Sequence, residues 1–217
     1  MSTENSAAEK SAGGERWIIG VMILCAVVGV AGGWWAGQSK ALGLPLDRPR
    51  QLTDFSLTDR TGRAVTRGEL TNQFLVVNFV FSSCSISCQQ VSQNMAEVQR
   101  LTATQPDVRL LSFSVDPRTD TPDVLAKFGD KFGADTNRWL LLTGEKPAVY
   151  AVIEGSFLTR SEDPAWAVMP GNFVHAERIA VVDPAGNVRA FFDGMSKRAP
   201  GDIVEFIHRL RSDLSRP

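Results

Sequence analysis

Hydrophobic residues run without a break over residues 75–77 and 79–81, and from Ile86 they recur at helical spacing. A continuous run of β-branched and aromatic residues is typical of a strand buried on both faces. After the polar pair Ser82 and Ser83, the apolar positions fall on one helix face: Val91, Met95, Val98 and Leu101. The pattern therefore predicts a buried strand, a turn and an amphipathic helix, in that order.

The rest of the chain beyond residue 50 alternates in the same way between strand and helix patterns. The predicted elements are a hairpin over 55–65, strands over 108–115 and 139–142, helices over 121–132 and 146–153, a hairpin over 179–192 and a final helix over 202–214. The first of these helices is predicted to begin with Thr121 as N-cap and Pro122 at the first helical position, and to end at Gly133. The final helix is predicted to bury Ile203, Val204, Ile207, Leu210 and Leu214. Alternating strands and helices, closed by an antiparallel hairpin and a helix, predict an α/β sandwich.

The N-terminal residues have a different composition and predict a membrane anchor. Residues 1–16 are polar and predicted to be disordered, whereas residues 17–37 are apolar, uncharged and long enough to cross a bilayer core of ~30 Å. Residues 38–50 contain two prolines and predict a tether, so the folded domain is expected to span 51–217. A cleaved signal peptide is the alternative, which Trp34 and Trp35 disfavour because small residues should precede a cleavage site.

Charge and cysteine content argue against nucleic-acid binding and against a fold held by several disulfides. The net charge of −1 gives no electrostatic footprint for nucleic acid, and three cysteines are too few for a disulfide framework. Cys25 falls in the predicted anchor, whereas Cys84 and Cys88 fall where the buried strand passes into the helix. A helix N-terminus favours the thiolate, which is both a metal ligand and a redox nucleophile. The alternative is that both are buried, inert cysteines.

The chain has only two histidines, and their contexts differ. His208 falls off the apolar stripe of the last helix and is predicted to face solvent or the boundary of the core. His175 precedes the strand at Ile179, in a loop expected to pack beside the start of the cysteine helix, although a lone loop histidine is normally a surface residue. Two thiolates and an imidazole would suit Cu(I), and Cu(II) with an added water, whereas structural zinc would require a fourth ligand.

These motifs together resemble those of the Sco (SenC) family, whose membrane-anchored, thioredoxin-like members help to assemble the binuclear copper site of cytochrome c oxidase. The resemblance covers residues 54–210. It depends on the segment Phe-Ser-Ser-Cys84 with Cys88 four residues later, on residues 114–122 (Ser-Val-Asp-Pro-Arg-Thr-Asp-Thr-Pro), and on His175 ahead of residues 178–184.

The resemblance implies a thioredoxin-like sandwich behind a single N-terminal transmembrane helix, with Cys84, Cys88 and His175 as copper ligands. It also implies a cytoplasmic tail, an anchor in the bacterial inner membrane and a domain that faces the periplasm. The implied partners are the copper-receiving subunit of the oxidase, other copper carriers and, through the anchor, membrane lipid.

The sequence departs from the family pattern next to the site. Proline commonly follows each cysteine in the family, whereas Ser85 and Gln89 stand here, and Ala176 replaces a frequent serine. A helix start without proline is less rigid, which bears on metal affinity and redox potential rather than on the ligand set. Asp116 and Asp120 match the family motif and are interpreted as turn and helix-start residues, with a direct role near the metal as the alternative. Residues 159–172 are either a recognition loop or a flexible insertion.

Two functions of different classes remain open from the sequence. The leading hypothesis is a copper metallochaperone that uses Cys84, Cys88 and His175. The alternative is an enzyme, a membrane-tethered thiol–disulfide oxidoreductase that uses Cys84 and Cys88 as a redox pair; disulfide exchange needs only the two sulfurs, whereas the copper site also needs the histidine. A combination, in which the protein reduces its client's cysteines before metal is loaded, is a third hypothesis, and a peroxidase is disfavoured.

Overall fold

The structure, a computed structural model, describes residues 44–83, 87–157 and 177–216. All of them belong to one compact unit that spans residues 42–217. The predicted tail (1–16), the predicted anchor (17–37) and the first part of the predicted tether lie outside the described residues. Within the described residues, no helix has the length and apolar character needed to cross a membrane.

An eight-stranded sheet forms the centre of the domain, with strand order β1-β8-β7-β4-β5-β6-β2-β3. Strands β4, β5 and β6 are parallel to one another, and the remaining neighbours pair antiparallel. The strands are β1 (Leu44–Gln51), β2 (Ser56–Asp59), β3 (Ala64–Thr66), β4 (Phe74–Val80), β5 (Val108–Ser114), β6 (Trp139–Thr143), β7 (Arg178–Val182) and β8 (Asn187–Asp193).

Helices cover both faces of this sheet. They are α1 (Ser87–Leu101), α2 (Pro122–Lys131), α3 (Lys146–Val152), which continues as a π-helical turn (Ile153–Phe157), and α4 (Ala199–Leu214), with a 3₁₀ helix at Arg67–Leu70. The core on one face contains residues of α1, α2 and α4, and the core on the other contains residues of α3 and the π-helical turn. Strand β4 is buried at every position because it lies between the two cores. The predicted α/β sandwich is confirmed.

The start and the end of α2 follow the local sequence signals. Thr121 is the N-cap, and its hydroxyl accepts a hydrogen bond from the Val124 amide at 3.4 Å, while Pro122 occupies the first helical position. Gly133 follows the helix with φ +63, in the left-handed region that glycine adopts readily. The predicted boundaries of this helix are confirmed.

The predicted tether is too long at its C-terminal end. Leu44–Gln51 forms strand β1, which pairs antiparallel with β8 at the edge of the sheet. Pro45 and Pro49 indicated a linker, but an edge strand tolerates proline because one side of it has no neighbouring strand to receive an N–H. The register is irregular between Pro45 and Arg50, which fits the same explanation. The folded domain therefore begins before residue 51.

The predicted inward face of the last helix is also partly wrong. Ile203, Ile207 and Leu210 are buried, whereas Leu214, the final residue of α4, is 52% exposed. Leu101, the last residue of α1, is exposed for the same reason. Helical periodicity identifies the face that points inward but not the point along the axis where the core ends.

Candidate functional site

Cys88 lies in the first turn of α1, at the carboxyl end of the buried strand β4. The chain leaves β4 at Val80, turns through Ser82 and Ser83, and enters α1 at Ser87. Cys88 is fully buried there. The amides of a first helical turn have no intrahelical acceptor, which favours a thiolate, whereas full burial disfavours the charged form. The position of Cys88 at the start of a helix that follows a buried strand makes it a candidate for metal or redox chemistry.

The other two predicted ligands, Cys84 and His175, lie outside the described residues. The residues that the structure does describe contain no group of three or more His, Cys, Asp or Glu side chains arranged to hold a metal ion. The predicted set of Cys84, Cys88 and His175 therefore stays a prediction. The structure does describe Ser83 and Ser87, on either side of the segment that contains Cys84, and Glu177, two residues after His175.

The strand that follows His175 in the chain begins beside the cysteine helix. The Gly194 amide donates to the Glu177 carbonyl at 2.6 Å, and a Cβ on Gly194 would lie 3.1 Å from the Val91 side chain of α1. Asn94 of α1 also donates through Nδ2 to the carbonyls of Gly194, at 2.7 Å, and Ser196, at 2.9 Å. Gly194 thus packs against α1 near Val91, and Glu177, two residues after His175 in the chain, is hydrogen-bonded to Gly194.

The sheet register brings the same two segments to one edge. Asn78 of β4 lies opposite Ile179 of β7 in an antiparallel pair, so the start of β7 lies beside the end of β4. Parallel pairing continues past the end of β5, where the Val115 amide donates to the Val80 carbonyl at 2.9 Å. The segments that follow β4 and β5 and the segment that precedes β7 therefore meet at this edge, where α/β proteins commonly bind ligands.

Two acidic residues follow β5 at this edge, and their roles differ. The Asp116 carbonyl accepts hydrogen bonds from the amides of Thr119, at 3.0 Å, and Asp120, at 2.9 Å, so the predicted turn role of Asp116 is confirmed. Asp120 is fully buried, and its carboxylate accepts from the Ser82 amide at 3.1 Å and from the Ser114 hydroxyl at 2.6 Å. The prediction for Asp120 was incomplete because its link to Ser82 joins residues distant in sequence.

Tyr150 of α3 approaches the same edge from the other face of the sheet, and the sequence did not single it out. Its hydroxyl donates to the Val115 carbonyl at 3.0 Å. Burial raises the pKa of Tyr150, and the negative charges of Asp116 and Glu154 raise it further. The phenol therefore stays protonated at neutral pH and serves as a hydrogen-bond donor that holds the segment after β5.

The second histidine is confirmed to lie on the surface. His208 is exposed on α4, and its Nδ1 lies 3.4 Å from an Arg211 guanidinium nitrogen. Arg211 also pairs with Asp107 at 2.8 Å, which fixes this cation next to the imidazole. His208 is thus a suitable control position for experiments on His175.

Comparison with known families decides where the chain belongs. The SCO1/SenC family model matches residues 45–211, which is most of the chain and includes every element from β2 to α3 as well as β7 and β8. The chain belongs to the SCO1/SenC family. The resemblance inferred from the cysteine, aspartate and histidine motifs is confirmed at the level of the family.

Individual SCO1/SenC relatives support this assignment. The SCO1 protein homolog of Bacillus subtilis is 26% identical over 156 residues, which cover 71% of this chain and 79% of the relative. The solved structure of BsSco, described as having a disulfide switch and as a member of the Sco family of cytochrome c oxidase assembly proteins, is 25% identical. It has a TM-score of 0.64 and covers 77% of this chain and 95% of its own.

A copper-bound family structure has the same fold. Yeast Sco1 with copper bound is 21% identical, with a TM-score of 0.57, over 74% of this chain and 94% of its own. At that identity the likeness shows the fold alone. Together these structures confirm the predicted α/β thioredoxin-like domain.

Proposed function

We propose that the protein is a membrane-anchored copper metallochaperone that binds copper through Cys84, Cys88 and His175 and delivers it to the binuclear copper site of cytochrome c oxidase. Residues 17–37 serve as the anchor in the bacterial inner membrane, and the domain faces the periplasm. The copper is cargo, received from another copper carrier and passed to the copper-receiving subunit of the oxidase.

The observation that carries the proposal is the convergence of three chain segments at the Cys88 end of α1. Cys88 is buried in the first turn, the Ser82–Ser83 turn directly precedes Cys84 in the chain, and Glu177 is hydrogen-bonded to Gly194, which packs against α1. Two residues of extended chain reach at most about 7 Å, so the Cα atom of His175 cannot lie farther than that from the Cα atom of Glu177. Membership of the SCO1/SenC family and the copper-bound state of yeast Sco1 support copper as the metal.

The chemistry of the proposed donor set fits copper as a transferable cargo. Two thiolates bind Cu(I) strongly because both partners are soft, and an imidazole adds a ligand that Cu(II) prefers. Three protein ligands leave room for a ligand from the receiving protein. The amides of the first helical turn favour the Cys88 thiolate, which offsets part of the cost of deprotonating this buried thiol when copper binds.

A thiol–disulfide oxidoreductase is the second candidate, and the position of Cys88 favours it as well. Disulfide exchange requires a thiolate, which the start of a helix favours, and the fully buried Cys88 would act as the partner that closes the internal disulfide with Cys84. BsSco, which has the same fold, is described as having a disulfide switch. The two candidates differ in whether they need His175.

Copper titration of His175→Ala tests the proposal. All variants carry Cys25→Ser, so that only Cys84 and Cys88 contribute thiols. We expect His175→Ala to weaken Cu(I) binding moderately and Cu(II) binding by at least about tenfold, because imidazole contributes more to Cu(II). The sulfur-to-Cu(II) absorption band should shift or disappear. Wild-type copper affinity should also fall as the pH drops toward about 6.5, where an unperturbed histidine protonates.

His208→Ala is the matched control, since it removes the exposed histidine of α4 and should change neither copper state. Cys84→Ser and Cys88→Ser should each abolish the absorption band. Copper binding by His175→Ala that equals wild type would refute the ligand set. If that variant also reduced disulfides at the wild-type rate, and copper had no role in oxidase assembly, the oxidoreductase candidate would replace the metallochaperone.

A further inference from the structure

A fully buried carboxylate connects the segment before Cys84 to the segment after β5. Asp120 Oδ1 accepts from the Ser82 backbone amide at 3.1 Å, and Oδ2 accepts from the Ser114 hydroxyl at 2.6 Å. Ser114 Oγ in turn accepts from the Asp116 amide at 3.1 Å. Asp120 therefore sits at the centre of a hydrogen-bonded junction that joins β5, the turn before α2 and the turn before Cys84.

We propose that Asp120 is a positioning residue for Cys84: by holding the Ser82 amide, it sets the distance and orientation of Cys84 relative to Cys88 in α1. This inference rests on the proposed function in one respect only, namely that Cys84 and Cys88 act as a pair. It applies equally whether the pair holds copper or forms a disulfide.

The start of α2 does not account for a carboxylate at position 120. Thr121 is the N-cap, and its own hydroxyl accepts the hydrogen bond from Val124. Among the described residues, the ion pairs do not include Asp120. Burying a carboxylate is costly unless its oxygens accept hydrogen bonds, and each oxygen of Asp120 accepts one, from Ser82 and from Ser114.

Ser82 is close enough to Cys84 for this bond to matter. The two residues are separated by Ser83 alone, so their Cα atoms cannot be more than about 7 Å apart. On the other side of the junction, Cys88 is fixed by the rigid helix α1. A disulfide needs Cα atoms about 4.4–6.8 Å apart. Holding Ser82 restricts the range over which Cys84 can move away from Cys88.

The disulfide equilibrium with glutathione measures this restriction without copper. The protein disulfide takes two electrons and two protons from two glutathione thiols, which yields the dithiol and one glutathione disulfide. In the full chain carrying Cys25→Ser, we expect Asp120→Ala to lower the equilibrium constant for disulfide formation about tenfold, which corresponds to a reduction potential about 30 mV higher. Amide exchange at Ser82, followed by mass spectrometry, should be at least tenfold faster.

Two further variants test the proposal independently of stability. Asp120→Asn replaces the carboxylate acceptor of the Ser82 bond with a neutral amide oxygen, so it should shift both measurements in the same direction by a few-fold, and it serves if Asp120→Ala fails to fold. Asp183→Ala is the matched control, because Asp183 is also a buried aspartate, 2% exposed, but holds the β7–β8 turn at the other end of β7. It should lower stability and leave both measurements unchanged.

The outcomes separate this inference from the proposed function. If both Asp120 variants match wild type in disulfide equilibrium and Ser82 exchange, the positioning role is refuted. It is refuted as well if Asp183→Ala shifts the equilibrium as much as Asp120→Ala does, because the effect would then be one of stability. Failure of the wild-type chain to bind copper would refute the proposed function alone, since neither measurement here involves copper.

Discussion

At the scale of single residues, Asp59 shows how local hydrogen bonds overcome the cost of burying a carboxylate. It is buried at the end of β2, and it accepts from the Thr61 amide at 2.7 Å, the Thr61 hydroxyl at 2.6 Å and the Arg63 amide at 3.1 Å. Burial raises the pKa of Asp59, but these hydrogen bonds and the charge of Arg63 outweigh it, so its pKa lies below the ordinary value. The ionised form therefore stabilises the fold.

This predicts a pH-dependent effect of Asp59→Asn. Because the pKa is lower in the folded state than in the unfolded state, the stabilisation is present above the unfolded pKa of about 3.9 and is lost as the pH falls through the folded pKa. We expect Asp59→Asn to cost about 1–2 kcal/mol at pH 7 and progressively less below about pH 4. Urea unfolding of both proteins at several pH values measures the difference, and a gap that stays constant with pH would contradict this explanation.

At the scale of secondary-structure elements, replacing two glycines by alanine should change the stability of the protein in opposite directions, one glycine lying just after a helix and the other within one. Gly133 ends α2 with φ +63, whereas Gly201 lies in the first turns of α4 without a positive φ. A Cβ would meet no atom within 4 Å at either position, so packing contributes nothing to the comparison. Only the backbone conformation differs.

Gly133→Ala is expected to destabilise the protein by about 1 kcal/mol, because a residue with a Cβ atom has a higher backbone energy than glycine in the left-handed region. Gly201→Ala is expected to stabilise it by about 0.5–1 kcal/mol, because alanine loses less backbone entropy in a helix. The two variants are each other's controls in urea unfolding at neutral pH. A shift of the same sign in both would show that the backbone conformation does not decide the effect.

At the scale of the whole molecule, the domain boundary is set by strand pairing rather than by composition. Leu44–Gln51 pairs with β8, with Leu44 opposite Phe191, Pro45 opposite Ala190 and Arg50 opposite Val188. Removing this strand exposes the edge of β8, which then presents unpaired backbone groups to solvent or to another chain. The part of the chain expected from its prolines to be a tether is thus a structural part of the domain.

A fragment of residues 51–217 should therefore be less stable than a fragment of residues 42–217. Cross-strand pairs contribute about 0.2–1 kcal/mol each, so we expect a loss of about 1–2 kcal/mol together with a greater tendency to aggregate. Urea unfolding and light scattering at equal concentration measure the two effects. Equal stability of the fragments would show that the β1–β8 pairing contributes nothing, and that the tether extends to residue 50.

Local sequence was sufficient for those parts of the molecule that short-range forces determine. The continuous apolar run predicted β4, the helical spacing of Val91, Met95 and Val98 predicted α1, and Thr121, Pro122 and Gly133 predicted the ends of α2. The cysteine, aspartate and histidine motifs taken together were sufficient to predict the family. Each of these signals lies within a few residues of the structure that it predicts.

Tertiary structure decided the features that depend on contacts between distant residues. The prolines of β1 look the same in a tether and in an edge strand, and only pairing with β8 distinguishes the two. The local sequence around Asp120 predicts only a helix-start residue. In the folded domain its carboxylate accepts a hydrogen bond from the Ser82 amide, 38 residues away in the chain. Burial and long-range hydrogen bonds arise when the sheet assembles, so the residues on one side of such a contact do not specify it alone.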